Sequence, residues 1–352
     1  MKIAVYAISK NEEAFVKRFC RSAIDADLIL IADTGSTDKT KSIANACGAQ
    51  VHDISVKPWR FDVAREASLA LVPADYDVCI CLDLDEVLEP GWREEVERLW
   101  KDDTTRVKYK FDWGSGVVFY SDKIHSRSGY RWKHPCHEIL VPTTGFTENY
   151  VWTDKQLVTH LPDNTKSRGQ YLDLLSISVK EDPECPRNAF YYARELTFYG
   201  RWVEAINALN RYLELKDATW ANERSYAMRL LSKAHTEINN KGQAIRWARL
   251  AVAEDPTVRD SWIALSEAAY SQRMWAESYF AAISALNISQ RAYVYTEDPI
   301  NWAEKPYDLA CIAAWNLGFK EQSIEFCKKA LEFNPADSRL IGNLKLITEE
   351  QV

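Results

Sequence analysis

Three observations predict an α/β domain followed by an all-α superhelix of helical repeats. Up to Trp100, short apolar runs alternate with amphipathic segments, the pattern of a parallel sheet flanked by helices. One of these runs, Tyr76-Asp77-Val78-Cys79-Ile80-Cys81, closes on Leu82-Asp83-Leu84-Asp85-Glu86, an acidic pair at the carboxyl end of a strand. From Asn188 onward the strand pattern stops, and small and large residues recur about every 34 residues.

Composition narrows the classes. At 352 residues the chain has room for two domains with sizeable cores. A net charge of −7 argues against a general nucleic-acid binder. Thirteen Trp and 17 Tyr suit stacking on carbohydrate or nucleotide as well as helix packing. No apolar run reaches the roughly 18 residues that span a bilayer, and Met1-Lys2-Ile3 leads directly into a strand pattern without a signal-peptide core. Eight scattered cysteines lack zinc-ribbon spacing and read as buried thiols, so a cytoplasmic protein is expected.

In chain order, Lys2 to Ser9 alternates as a strand, and Asn11-Glu12-Glu13 opens a helix expected to run to about Ile24. Leu28 to Ala32 is a second strand, ending in Asp33-Thr34-Gly35-Ser36-Thr37-Asp38. Lys39 to Cys47 is helical with Gly48 as its stop. Gln50 to Ser55, Phe61 to Leu71 and the strand before Asp83 complete the alternation, and a helix after Pro90-Gly91 runs to Trp100. In such sheets ligands bind beyond the carboxyl ends of the strands, where Lys10-Asn11-Glu12, Asp33 to Ser36 and Asp83-x-Asp85 all fall. Asp83 and Asp85, two apart on a strand, are expected to share a face and repel one another. A hard divalent ion, Mg²⁺ or Mn²⁺, relieves that repulsion and can grip a diphosphate. Asp33-Thr34-Gly35-Ser36 also spells an aspartic-protease motif. That chemistry needs an all-β setting and a second copy, whereas here a helix follows and no second copy exists. A dinucleotide fold lacks its G-x-G-x-x-G after the first strand.

Ile8-Ser9-Lys10-Asn11-Glu12-Glu13, Ala32 to Thr40 and Leu82 to Leu88 together resemble family 2 glycosyltransferases of the GT-A fold, a Rossmann-like nucleotide-diphospho-sugar transferase sheet. The resemblance covers roughly the first 165 residues. It implies a nucleotide-sugar donor, a UDP-sugar in the first instance, and inversion at the anomeric carbon. It places Asn11, Glu12, Asp33, Gly35 and Ser36 at the donor, with Asp33 on the uracil or ribose. Asp83 and Asp85 become the metal pair, with Asp85 as ligand, and His160 falls where such enzymes often add a further ligand. Arg65 lies in a helix similar to a donor-side helix of the family, but Glu66-Ala67-Ser68 follows it where the family often has Asn. That leaves the role of Arg65 open.

From Arg106 to Pro162 short aromatic strands are expected: Val107 to Trp113, Val117 to Tyr120, Tyr130 to Val141 and Tyr150 to His160. His134-Pro135-Cys136-His137-Glu138 resembles the acceptor-side segment of related enzymes, making Glu138 the candidate general base. A strand carboxylate paired with Arg131 or Lys133 is the structural alternative. Trp59 and Trp132 suit stacking on base or sugar, or a place in the core.

The helical half follows tetratricopeptide spacing: Trp262, Leu265, Ser266 and Ala269 with Ser278, Ala282 and Ala285. Units around Met228, Tyr307 and, more weakly, Ala189 align with it, and an insertion near Ser289 to Glu304 offsets the last. Domains are expected at 1–165 and 166–352. This order of domains looks like the peptide-modifying glycosyltransferases that act on bacteriocins, implying a peptide, protein or glycan acceptor and self-association through the repeats. Two other readings stand beside a metal-dependent transferase: a peptide-binding repeat scaffold with an inactive transferase domain, and a nucleotidyltransferase.

Overall fold

The computed structural model describes residues 1–114, 116–162 and 169–349. The chain divides into two compact units, Met1–Ser178 and Val179–Val352; the expected boundary between 165 and 166 lies outside the described residues.

Unit 1 runs β1 (Ile3–Ser9), α1 (Val16–Ser22), β2 (Leu28–Asp33), α2 (Thr40–Ala46), β3 (Gln50–Asp53), α3 (Phe61–Leu71), β4 (Val78–Cys81), β5 (Glu86–Leu88) and α4 (Trp92–Leu99). It continues through β6 (Arg106–Gly114), β7 (Val117–Ser126), β8 (Tyr130–Lys133), β9 (Ile139–Pro142) and β10 (Tyr150–His160). Eight strands form one sheet in the order β3-β2-β1-β4-β7-β6-β10-β5, and β8 pairs with β9 separately. The first four strands are parallel, as the alternation predicts. Beyond β4 the sheet turns antiparallel at β7, and only β6–β10 is parallel again. The strand order reverses at β1, which sits between β2 and β4, and this opens the crevice where ligands enter such sheets.

Both faces of β1 are buried, which explains its continuous apolar run. Ile3, Val5 and Ala7 pack with Val16, Phe19 and Trp92 on one side. Ala4 and Tyr6 meet Leu30, Leu69 and Trp132 on the other. On that second side a buried polar relay ties three strands together. Trp132 Nε1–H donates to Tyr6 Oη at 3.0 Å, and Tyr6 Oη lies 2.9 Å from His125 Nε2. His125 Nδ1 lies 2.8 Å from the Ser126 carbonyl, which can only accept, so Nδ1 carries the proton and Nε2 accepts from tyrosine.

Three expectations change. The first helix begins at Val16, not Asn11, because Asn11 adopts φ 57° and a turn from Glu12 to Phe15 precedes the helix. Tyr130 to Val141 is a hairpin rather than one strand; His134 (φ 83°) and His137 (φ 52°) break it into β8 and β9. The strand before the acidic pair ends at Cys81, so Asp83 and Asp85 lie in a turn closed by Glu86 N–H donating to Asp83 O at 3.0 Å.

After α5 (Tyr171–Glu181), unit 2 is built from helix pairs α6/α7 (Pro186–Phe198, Trp202–Glu214), α8/α9 (Ala221–Glu237, Lys241–Glu254), α10/α11 (Arg259–Ser271, Trp275–Leu286) and α12/α13 (Lys305–Asn316, Lys320–Phe333), with α14 (Ser338–Glu349) last. Each pair buries two small residues 12 apart in sequence: Ala193 and Ala205, Ser232 and Ala244, Ser266 and Ser278, and Cys311 and Ser323. The last two pairs share hydrogen bonds. Small side chains there let paired helices approach closely, the packing of tetratricopeptide arrays. No helix among the described residues is long and apolar enough to cross a membrane.

The relay yields a stability prediction. Tyr6→Phe leaves His125 Nε2 and Trp132 Nε1 buried without this partner, and should cost about 1–3 kcal/mol in urea unfolding of unit 1. Burial pushes the His125 imidazole down to about 3. The unfolded chain therefore takes up a proton that the folded chain refuses between its ordinary value near 6.5 and about 3. Stability supplied by neutral His125 should fall as pH drops through that window, and wild-type unfolding curves measured across it should show this slope.

Candidate active site

The carboxyl ends of β1 and β2 carry the first cluster. Asp33 is fully buried, and its carboxylate accepts from Gly35 N–H (2.9 Å), Ser36 N–H (2.7 Å), Ser36 Oγ (2.5 Å) and Ser9 Oγ (2.8 Å). Burial works against its charge, but the donors from Ser36, Ser9 and Gly35 outweigh it and hold the carboxyl below its ordinary range. Gly35 takes φ 106°, a conformation that L side chains rarely adopt, and this lets the chain wrap the carboxylate. Asn11 N–H donates to Ser36 Oγ at 2.8 Å, and Asn11 Oδ1 accepts from Thr37 N–H at 2.8 Å. Glu12 is buried, its N–H on Thr40 Oγ1 at 2.6 Å. These five residues therefore lock two loops to each other at the mouth of the crevice.

The second cluster centres on Arg65, on the buried face of α3. Its Nη2 donates to Asp83 Oδ1 at 2.6 Å, its Nε donates to Glu138, and its Nη1 lies 3.1 Å from Cys81 Sγ. The guanidinium lies 5.3 Å from the Trp132 ring centroid. Burial opposes this charge, but Asp83 and Glu138 more than compensate, and Arg65 is held well above its ordinary range. Glu66, one residue on, accepts from Trp132 N–H at 2.8 Å, and Ser68 Oγ donates to Ala7 O at 3.1 Å. The departure from the family pattern after Arg65 thus serves to fix α3 against β8 and β1. Trp132 belongs to the core. Trp59 packs edge-on against Phe61 at 5.2 Å.

Sequence reasoning missed the next two members. Glu86 is 1% exposed and accepts from Asp83 N–H at 2.9 Å; Lys123 Nζ lies 3.4 Å from it and 3.8 Å from Asp83 Oδ2. Burial raises the Glu86 carboxyl despite Lys123 nearby. Burial also opposes the Lys123 charge, but Glu86 and Asp83 outweigh it and its ammonium is raised. The strand expected from the sequence stopped at Tyr120, short of Lys123, and pairing across β4 and β7 is not local.

The third cluster joins Asp85 to His160. β5 pairs antiparallel with β10, setting His160 opposite Glu86, and Leu161 N–H donates to Asp85 O at 2.8 Å. Asp85 Oδ2 then lies 3.5 Å from His160 Nε2. His160 Nδ1 faces the Trp113 carbonyl at 3.2 Å, and the half-exposed Trp113 ring covers the imidazole at 4.4 Å. Burial lowers the imidazolium, but its bond to Asp85 outweighs this and the net shift is upward. The carbonyl fixes Nδ1 as the protonated nitrogen, which leaves the Nε2 lone pair toward Asp85 whenever the ring is neutral. A carboxylate oxygen and a neutral imidazole side by side form a donor pair open to a divalent ion, the oxygen suiting Mn²⁺ or Mg²⁺ and the imidazole a transition metal. Asp83 is held on Arg65, so the structure joins Asp85 with His160 and separates Asp83 from them. Among the described residues no three His, Cys, Asp or Glu side chains cluster tightly enough to form a complete protein cage.

With this geometry in place, residues 5–152 match the family model of Glycosyl transferase family 2, and unit 1 carries such a domain. An uncharacterized glycosyltransferase of Rickettsia bellii (strain RML369-C) is 36% identical over 100 residues, 28% of this chain and 33% of the relative. One from Rickettsia typhi (strain ATCC VR-144 / Wilmington) is 35% identical over the same shares. The match thus spans about a third of the length of these curated relatives. Among solved structures, the MamA protein aligns over 48% of this chain and 83% of its own at 20% identity, TM-score 0.38. A thermophilic TPR protein of Thermus thermophilus aligns over 51% of this chain and 92% of its own at 15% identity, TM-score 0.37.

Removing Lys123 should strand Glu86. Lys123→Met is expected to destabilise unit 1 by about 3–5 kcal/mol, because one buried charge loses its partner. Adding Glu86→Gln should recover a large part of that loss, read as a double-mutant cycle in denaturant unfolding.

Proposed function

We propose that unit 1 transfers a sugar from a UDP-sugar to an acceptor hydroxyl or thiol, with inversion and with Mn²⁺ or Mg²⁺. The observation that carries this reading is the Asp85–His160 pair at the switch-point crevice of a family 2 domain. Those two side chains would hold the ion. An ion held there would supply positive charge to offset the diphosphate and the departing nucleotide. The ordered loops of Asn11, Glu12, Asp33, Gly35 and Ser36 shape the nucleoside side of the crevice, with Asp33 acting through the loop it holds. Arg65 spans Asp83 and Glu138 with one guanidinium, and so orients the candidate base relative to the acidic turn. Glu138 takes the proton of the attacking acceptor through the carboxylate oxygen not engaged by Arg65.

The acceptor we favour is a peptide or protein recruited through the helical unit, with a glycan as the alternative chemistry. Eight cysteines without disulfides fit a reducing cytoplasm. A nucleotidyltransferase would instead release pyrophosphate, and an inactive scaffold would leave the donor intact, so product analysis with a UDP-sugar separates the three.

Two measurements test the roles. Asp85→Asn should abolish Mn²⁺-supported UDP binding in calorimetry while leaving the thermal midpoint near wild type. For wild type, that binding should weaken as pH falls through the raised His160 range, because the ion competes with a proton for Nε2. UDP binding that is indifferent to Mn²⁺, to Asp85→Asn and to pH would remove the ion from the mechanism. Glu138→Gln keeps an oxygen for Arg65, so donor affinity should hold while kcat drops about 10²–10⁴-fold. Weakened donor binding at unchanged kcat would place Glu138 on the donor side instead.

A further inference from the structure

His160 is the last residue of β10. Chain ends of an element fray unless they are tied down, whereas groups that share an ion must be held to within about 0.5 Å. Side-chain packing contributes little here, because Leu161, the next residue, is 39% exposed. Two main-chain bonds hold this strand end. Leu161 N–H donates to the Asp85 carbonyl at 2.8 Å, which ties together the backbones that carry the two candidate ligands. The Leu161 carbonyl accepts from Nη2 of Arg18 at 2.5 Å, a contact between residues 143 apart in sequence. Pro162 follows and has no N–H with which the strand could extend its ladder. Leu161 is therefore gripped through both of its polar main-chain atoms, by the acidic turn on one and by α1 on the other.

The setting of Arg18 suits it to this grip. It lies within α1, whose Val16 and Phe19 are buried in the same core as Leu88 of β5. Its guanidinium lies 4.7 Å over the ring of Phe15, the residue before the helix. A planar guanidinium laid on an aromatic ring presents its N–H groups in fixed directions, which a flexible ammonium does not. The imidazole is oriented separately, by the Trp113 carbonyl 3.2 Å from Nδ1. Trp113 thus selects the nitrogen that faces Asp85, while the bonds to Leu161 fix the backbone from which the ring projects.

We propose that Arg18 is a positioning residue for the divalent ion: by holding the Leu161 carbonyl it keeps His160 at the separation from Asp85 that a shared ion needs. The inference rests on the reading of Asp85 and His160 as the ion's ligands. Arg18 acts through the backbone and not as a ligand, since a guanidinium has no lone pair to give. Its positive charge by itself repels a cation, so charge and positioning predict opposite signs for its removal.

The test uses the full chain and Mn²⁺ alone, with the free ion counted by electron paramagnetic resonance. Arg18→Met should weaken Mn²⁺ binding about 10–100-fold, the usual effect of losing an outer-shell partner. Arg18→Lys, which keeps the charge and a donor, should recover part of that loss. UDP binding measured without metal should be the same in all three chains. Hydrogen exchange without metal gives a second readout: the Leu161 amide should lose protection in Arg18→Met. Unchanged or tighter Mn²⁺ binding by Arg18→Met overturns the proposal, as does an equal loss of metal-free UDP binding or unaltered exchange at Leu161. If Arg18→Met does not fold, Arg18→Gln takes its place, and failure of both makes Arg18 a residue of the core and overturns the proposal. Wild type that takes up no Mn²⁺ overturns the ion itself and this inference with it, an outcome distinct from equal binding by wild type and variant.

Discussion

The Arg65 guanidinium is the constraint on which the site depends. It is a buried cation on a helix, and burial of an isolated charge is prohibitive unless partners surround it. Asp83, Glu138 and the Trp132 face supply those partners from two separate stretches of chain. To satisfy one side chain, the acidic turn, α3 and the β8–β9 hairpin must be assembled together. Glu86 and Lys123 extend the same logic across β4 and β7, since a carboxylate that is nearly inaccessible needs the ammonium that faces it. The result is alternating charge, Glu138–Arg65–Asp83–Lys123–Glu86, in which no cation lies next to another.

This alternation explains why the acidic pair does not behave as a pair. Two carboxylates on one strand face would repel, and an ion between them would be the relief. The chain instead ends the strand at Cys81 and folds the acidic residues into a turn, so that each side chain meets its own cation or imidazole. Asp83 becomes structural charge within the alternating row. Asp85 is turned toward His160, whose neutral ring presents a lone pair at Nε2 rather than a proton. Division of labour between neighbouring carboxylates therefore follows from the turn.

Much of this was legible in the sequence, for identifiable reasons. The parallel half of the sheet was readable because β1, β2 and β4 are buried on both faces and so carry unbroken apolar runs. Helix α3 was readable to the residue, bounded by Arg60 in extended conformation and by Val72. The repeat pairs were readable because close helix approach admits only small residues at fixed spacing. What escaped were features decided by residues far apart in sequence. Lys123 acquires meaning only from the antiparallel turn of β7 against β4, and Trp113 only from the β10 register that brings His160 beneath it. The break at His134 and His137 escaped because positive φ at histidine carries no pattern signal.

Both units bury charge only beside partners, drawn from side chains and from main chain. In unit 1 the buried charges are matched to one another by side chains, so their positions are fixed by the fold and the crevice is preorganised. In unit 2 the inner-face Arg229 and Asp260 pair with each other at 3.2 Å, and they and Arg259 also bond main-chain groups of the connection between α11 and α12. Tyr295 and Thr296 add side-chain bonds to Glu223 and Asn222. A helical array that needed only rigidity would have filled this face with leucine and alanine, as it does between its helix pairs. Keeping five polar side chains under a loop has a desolvation cost that rigidity alone does not repay. That cost is offset where the connection between α11 and α12 brings main-chain donors and acceptors onto those side chains.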